Sequence, residues 1–461
     1  MNLVPDDEWD AFLAALKEPL PVTFRVTGFR THTFAIMHLI RERYFQPFES
    51  STTIDKPKEL VWYPGSLAWQ LNLSRNQLRS STELQKLKEF LYEQTEHGNI
   101  SRQEAVSMIP PLVLDIQPHH KILDMCAAPA SKTAQIIECL HRDESNPIPS
   151  GFVIANNVDN KRCYTLVHQV KRLESPCFAI MNHDAANLPN LKTNDGNILF
   201  DRILCDVPCS GDGTLRKNPD LWKKWNPGHA SSLQSIQLRI ETRGIQLLAP
   251  GGLMVYSTCS MNPIENEAVV SQLLQTFQGQ ISLMNINDKL PDLRTIPGLK
   301  KQLHLEQCIR LLPHHQDTGA FFVALFRKID KTLDSSLSIQ EETSQKRSAE
   351  ENVFNEDGAN FKRARYHREN PFIFFEEKDI KGFWQDISEF FGVDSSFPVD
   401  QLMTRIASDS GRNIYFVSDS LKEIVTLNQD RIKDTIDEKF NKFDKYIENS
   451  ISIDDDYLFN K

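Results

Sequence analysis

Between residues 111 and 329, short apolar runs alternate with helical stretches, and few folds accommodate that rhythm. The runs are Lys121–Cys126, Gly151–Val158, Cys177–Asn182, Arg202–Asp206 and Gly252–Thr258. A run that is apolar along its whole length, rather than at alternate positions, is a strand buried on both faces. Strands separated by helices pair in parallel, because only a long crossover can return the chain to the same edge. The predicted fold is therefore α/β, with a mostly parallel sheet covered on both sides. A last pair, Cys308–Leu312 and Ala320–Arg327, is divided only by PHHQDTG and predicts an antiparallel end to that sheet.

The flanks read differently. Residues 1–110 are mixed α/β: Pro21–Gly28 alternates like a strand, Thr31–Tyr44 has helical periodicity, and SRQE at Ser101 matches a helix capping box. Residues 330–370 are poor in core residues and rich in Ser, Glu, Lys and Arg, which predicts a disordered linker. Lys346-Arg347 and Lys362-Arg363-Ala364-Arg365 within it are spaced like a bipartite nuclear import signal, though a solvated charge run has the same composition. Residues 371–461 regain aromatic side chains and predict a small further domain.

Charge does not single out a partner. The chain carries −10, yet residues 1–330 hold 34 basic and 35 acidic side chains and residues 331–461 hold 18 and 27. The acidity belongs to the tail, so a nucleic-acid partner would be met by local basic patches. Eight cysteines form no CxxC pair, which argues against zinc. The start, MNLVPDDEWD, lacks an apolar secretion segment, and no apolar run approaches the length of a membrane span. The expectation is a reducing intracellular compartment with free thiols, no membrane, no metal, and a monomer.

Five loops at strand ends could carry chemistry. Leu123–Thr133 follows one strand and opens a helix, and its small residues allow close backbone approach to a nucleotide-like ligand. Asn157 and Asp159 follow the next strand, where a ribose is usually held; an Asp there is also common in turns. Asp184 follows the third, where a helix N-cap explains it equally well. Asp206-Val207-Pro208-Cys209 and Thr258-Cys259-Ser260 end the next two strands. Either cysteine alone could be a small buried hydrophobe. Two of them after consecutive strands, where the crevice of such a sheet lies, is a stronger coincidence.

LDMCAAPASKT, DRILCDVPCSGDGTLRKNPDLWKKW and YSTCSMNPIENEAVV resemble the motifs of the Nop/Sun family of RNA cytosine-5 methyltransferases, closest to its eukaryotic multisite tRNA branch. The likeness runs on through ISRQEAVSMIPPLVL and RLLPHHQDTGAFFVALF. It implies a class I, Rossmann-like methyltransferase domain over 111–329 with a seven-stranded sheet. An RNA-binding module resembling an RNA-recognition domain would occupy 1–110, and an incomplete PUA-like segment 371–461. It implies S-adenosyl-L-methionine as cofactor and RNA as partner, tRNA first and also messenger RNA; the basic clusters add the expectation of a nuclear and nucleolar location with some cytoplasmic presence. By the same likeness Cys259 is the nucleophile and Cys209 the residue that promotes release. Asp206 and Lys132 face the target base. Cys126, Ala127, Ala128, Pro129, Ala130, Ser131 and Lys132 line the cofactor, with Asn157, Asp159, Asp184 and Asp206 beside it. The chemistry is consistent with those residue types. Carbon 5 of cytosine is a poor nucleophile until a thiolate adds to carbon 6, and a nearby carboxyl stabilises the charge that develops.

Three departures stand out. The family has Gly where this chain has Ala130, and close relatives have a carboxylate where it has Asn157. The segment Gly298–Leu303 is short for the branch, and the chain reads as an incomplete or divergent member. A weakened or inactive RNA-binding relative is the alternative reading. His314-His315 could suggest a metal site, but no ligand partner has suitable spacing in the sequence and a turn or RNA contact is expected; Lys223-Lys224 between Trp222 and Trp225 is either a phosphate-binding surface or an ordinary helix face.

Overall fold

A computed structural model of the protein describes residues 3–49, 55–73, 82–143, 145–299, 302–330, 372–375, 377–404 and 414–429. The two basic clusters, and nearly all of the expected linker, lie outside the described residues.

Four strands near the N-terminus, β1 (Val22–Val26), β2 (Lys58–Glu59), β3 (Ala68–Leu71) and β4 (Ile100–Arg102), form an antiparallel sheet in the order β2-β3-β1-β4. The helix Thr82–Glu96 buries Leu84, Leu87, Phe90 and Leu91 in the same apolar cluster as Phe24 and Leu71. That spacing is the apolar stripe of an amphipathic helix. The periodicity seen over Thr31–Tyr44 corresponds to a helix over Thr33–Leu39 that continues as a π-helical stretch, Ile40–Phe45. The capping-box expectation is corrected: Ser101 lies in β4, opposite Arg25 of β1, and the next helical turn starts at Ala105. Ladder pairing outcompetes a local capping preference here.

The central sheet contains β5 (Lys121–Asp124), β6 (Phe152–Asn156), β7 (Phe178–Met181), β10 (Phe200–Asp206), β11 (Leu248–Thr258), β12 (Ile281–Met284), β13 (Ile296–Pro297), β14 (Ile309–Leu311) and β15 (Phe321–Lys328). A separate short pair, β8 (Lys192–Thr193) and β9 (Gly196–Asn197), precedes β10. The order is β13-β14-β15-β11-β10-β5-β6-β7, with β12 also on β15. From β11 to β7 all neighbours are parallel, and β15 runs antiparallel to β11, β12 and β14. This is the expected mostly parallel sheet with its antiparallel end. The sheet has nine strands where seven were expected: the expected runs are β5, β6, β7, β10, β11, β14 and β15, and β12 and β13 are additional.

Chain order reverses at β5: β6 and β7 lie to one side, β10 and β11 to the other. In such sheets the two crossovers leave in opposite directions at the reversal and open a crevice at the carboxyl ends of the strands. The loops after β5 and β10 therefore face one another.

A three-stranded sheet, β16 (Ile373–Phe374), β17 (Leu402–Thr404) and β18 (Tyr415–Phe416), is followed by the helix Asp419–Leu427. Its Leu421, Ile424 and Val425 share an apolar cluster with Phe152, Ala179 and Met181 of the central sheet. No helix among the described residues is long and apolar enough to cross a membrane.

Candidate active site

The loop after β5 turns tightly into the helix Ser131–Leu140. Ala130 caps that helix at φ 94°, in the left-handed region, and is fully buried. A Cβ is disfavoured there, and glycine is the residue that adopts this conformation freely. In the first turn of the helix, Lys132 donates from Nζ to Asp206 Oδ2 at 2.7 Å, with the Phe321 ring centroid 5.3 Å from the ammonium. Asp206 is the last residue of β10. Its other oxygen accepts from Ser257 Oγ at 2.8 Å, across the parallel pairing of β10 with β11. The carboxyl group is thus held from two sides at the crevice.

Asp124, Cys126, Ala127, Ala128, Pro129, Ser131, Lys132 and Asp206 line a small open cleft. Asp124 closes it from below. One of its oxygens accepts from Thr133 Oγ1 at 2.7 Å, while the other, Oδ1, is buried with no hydrogen-bond partner. Burial pushes its carboxyl up to about 7, opposed by that hydrogen bond and raised further by neighbouring Asp206. An orphaned buried acceptor beside small residues suits a ligand that brings hydrogen-bond donors or positive charge.

The loops after β10 and β11 lie side by side. Val207 N–H donates to Ser257 O (3.2 Å) and Gly213 N–H to Cys259 O (2.9 Å). A Cβ on Gly213 would stand 2.5 Å from Ala320 O and 2.6 Å from Cys259 O, so only glycine permits this approach. The result is that Cys209 Sγ and Cys259 Sγ are 3.3 Å apart, both partly exposed. The hydrogen bond to Cys259, then burial, push the Cys209 thiol well up.

Each cysteine is followed by a serine that binds buried Glu265. Ser210 donates from N (2.8 Å) and Oγ (2.6 Å), Ser260 from Oγ (2.8 Å), and Gln237 from Nε2 (3.1 Å). The Tyr256 hydroxyl donates to the Glu265 backbone carbonyl. Sequence reasoning missed Glu265 and Asp124. Asp124 carried a usable signal, a carboxylate ending the strand before the small-residue loop; Glu265 carried none, because only the fold brings it to both loops.

Lys132, Asp206 and most of the 126–132 loop line one cleft, while Cys209 and Cys259 meet just past the ends of the adjacent strands β10 and β11 and are not among its lining residues. Asn157, Asp159 and Asp184 follow β6 and β7 at the same sheet edge without lining the cleft. Asn157 Oδ1 accepts from Asp159 N–H. Asp159 caps a helix, accepting from Lys161 and Arg162 N–H. Asp184 also caps, accepting from Ala186 N–H. Arg162 reaches back to donate to Ala128 O at 2.6 Å, tying the second crossover to the loop. His314 and His315 are each bonded through Nε2 to Glu8 Oε2 at 2.8 Å, and Arg294 donates to the other oxygen of Glu8. That contact fastens the N-terminal turn to the PHHQDTG connection. Trp222 is about half exposed, beside exposed Lys223 and Lys224.

Comparison with known proteins gives a consistent answer. A family model described as "16S rRNA methyltransferase RsmB/F" matches residues 111–327, and one described as "NSUN2 Pre-PUA domain" matches 371–436. The chain is 42% identical to the Drosophila melanogaster "tRNA (cytosine(34)-C(5))-methyltransferase", over 93% of this chain and 67% of that one. It is 40% identical to the Saccharomyces cerevisiae "Multisite-specific tRNA:(cytosine-C(5))-methyltransferase", over 94% and 70%. Among solved structures, NSun6 from Pyrococcus horikoshii with SFG superposes with a TM-score of 0.50 at 21% identity, over 72% of this chain and 96% of that one, a likeness of fold.

Proposed function

The chain belongs to the family of S-adenosylmethionine-dependent RNA (cytosine-C5)-methyltransferases, and from that premise we propose that it methylates carbon 5 of cytosine in tRNA through a covalent intermediate on Cys259. The observation that carries the mechanism is the 3.3 Å approach of Cys259 to Cys209 beside the Lys132–Asp206 pair.

Residues 126–132 and Asp206 hold S-adenosyl-L-methionine, with Asn157, Asp159 and Asp184 continuing the trough along the sheet edge; the orphaned Asp124 oxygen supports a donor-bearing ligand there. The cofactor supplies an electrophilic methyl group. The Cys259 thiolate adds to carbon 6 of the base, which makes carbon 5 an enamine carbon able to take that methyl. Asp206, fixed by Lys132 and Ser257, accepts a hydrogen bond from the exocyclic amine and stabilises the charge that develops. After transfer, a water molecule acting as base takes the carbon 5 proton, the electrons of that C–H bond restore the carbon 5–carbon 6 double bond, and Cys259 leaves as the thiolate. Cys209 assists by handling a proton at the departing sulfur.

The four-stranded N-terminal sheet serves as an RNA-recognition-like module and residues 371–461 as a PUA-like segment, together holding folded tRNA. The clusters at 346–347 and 362–365 direct the protein to the nucleus.

Cys209→Ala incubated with tRNA and cofactor should accumulate a covalent protein–RNA adduct on denaturing gels. Cys259→Ala should lose both adduct and product. Turnover by Cys259→Ala on cytosine-containing tRNA would remove Cys259 from the mechanism.

A further inference from the structure

A fully buried arginine joins the N-terminal sheet to the helix that carries Lys132. Arg25 of β1 is 0% exposed. It donates from Nη1 to Glu138, from Nε to Gln103 Oε1 at 2.8 Å, and from Nη2 to Ser131 O at a longer 3.5 Å. Gln103 passes the contact on, donating to Gln135 Oε1 at 3.0 Å. Residues 131, 135 and 138 stand at i, i+4 and i+7 of the helix Ser131–Leu140, so they form one stripe. The N-terminal sheet grips that stripe at three points by directional polar bonds. Lys132, one residue round from the first grip, holds Asp206.

An interlock of this kind is not the cheapest way to fill a core. Two buried charges lose their hydration, and well-packed apolar side chains of similar size often give equal or greater stability. What apolar side chains do not give is a fixed axial position, because their contacts tolerate sliding while a rigid guanidinium bonded through its three nitrogens to three separate acceptors does not.

We propose that Arg25 is a positioning residue that sets where the Ser131–Leu140 helix begins, and through it the placement of Lys132 and the 126–132 loop. The N-terminal module then contributes to the methyl-transfer centre without touching cofactor or base. The inference rests on the reading of that cleft as the cofactor site, but one of its two readouts does not.

The test compares Arg25→Met, the apolar pair Arg25→Met/Glu138→Met, and wild type in the full chain. Arg25→Met leaves Glu138 buried without its partner and lowers Tm. The pair restores most of the Tm. Hydrogen–deuterium exchange at residues 131–134 should nevertheless stay faster than wild type in the pair, by about tenfold. S-adenosylmethionine should bind the pair about tenfold more weakly by calorimetry, while tRNA affinity stays within about twofold of wild type. Recovery of wild-type exchange together with Tm would overturn the proposal, since Arg25 would then act on stability alone. If the apolar pair does not fold, Glu138→Gln, which keeps the shape, decides instead: faster exchange at 131–134 supports the proposal and unchanged exchange overturns it. Wild type that binds no S-adenosylmethionine would sink the reading of the cleft, and the exchange measurement would still decide the role of Arg25.

Discussion

At the residue scale, one backbone angle stands out. Ala130 has a φ of 94°, which puts a Cβ in a conformation that L-residues rarely adopt. Replacing it with glycine removes a steric cost of roughly 1–2 kcal/mol, less the entropy glycine loses on folding. Ala130→Gly should therefore stabilise the protein by about 1 kcal/mol, contrary to the usual effect of Ala→Gly in a helix. Urea denaturation reads the sign directly, and a destabilised variant would mean that the turn has adapted around the methyl. The relation of Cys209 to Cys259 was legible because both follow strands that the apolar pattern marks. Asp124 and Glu265 were not, since what distinguishes them is burial and convergence. A sequence records neither when the partners lie far apart in the chain, as Ser210 and Glu265 do.

At the element scale, the parallel strands were readable almost to their ends because a strand buried on both faces has to be apolar throughout. The expected run Arg202–Asp206 is observed as Phe200–Asp206, and Cys177–Asn182 as Phe178–Met181. β12 and β13 escaped, being short and only half-buried. SRQE misled because β4 is only three residues long and its partner, β1, lies far back in the chain. The loops after β10 and β11 are the converse case, irregular segments joined through one side chain. Glu265 gathers donors from both, and those donors differ in kind. The Ser210 N–H cannot reverse, and the Gln237 amide could flip only by giving up its bond to Pro208 O, whereas the two serine hydroxyls can rotate to accept. Glu265→Gln can turn its amide towards the hydroxyls, and should cost about 1–2 kcal/mol. Glu265→Ala strands several buried donors at once and should cost roughly 3–5 kcal/mol. A pair of denaturation curves tests that ranking; equal losses would mean the loops are held by something else.

At the scale of the whole molecule, the C-terminal segment packs into the same interior as the methyltransferase sheet, despite the long linker the sequence predicts before it. Leu421, Ile424 and Val425 are each about 1% exposed, in one cluster with the core of β6 and β7. Ser418 N–H donates to Pro176 O at 3.1 Å. Asn428 is fully buried: its Oδ1 accepts from Lys192 N–H at 2.7 Å, and its Nδ2 donates to Lys192 O at 2.9 Å and to its own helix at Ile424 O. One side chain thus satisfies both backbone groups of a residue in the catalytic domain. Those groups would otherwise be buried unpaired or hydrated at the expense of the contact. Shared apolar burial and a paired polar anchor couple the two segments, so they should unfold together. Calorimetry of the full chain should show one transition covering both. Asn428→Ala, leaving the Lys192 N–H and C=O without partners, should lower stability by about 2–3 kcal/mol and move that single transition down. A separate low-temperature transition in the wild type, with hydrogen exchange showing 414–429 opening while β6 and β7 stay closed, would mean the segment is docked too weakly to count as part of the catalytic core.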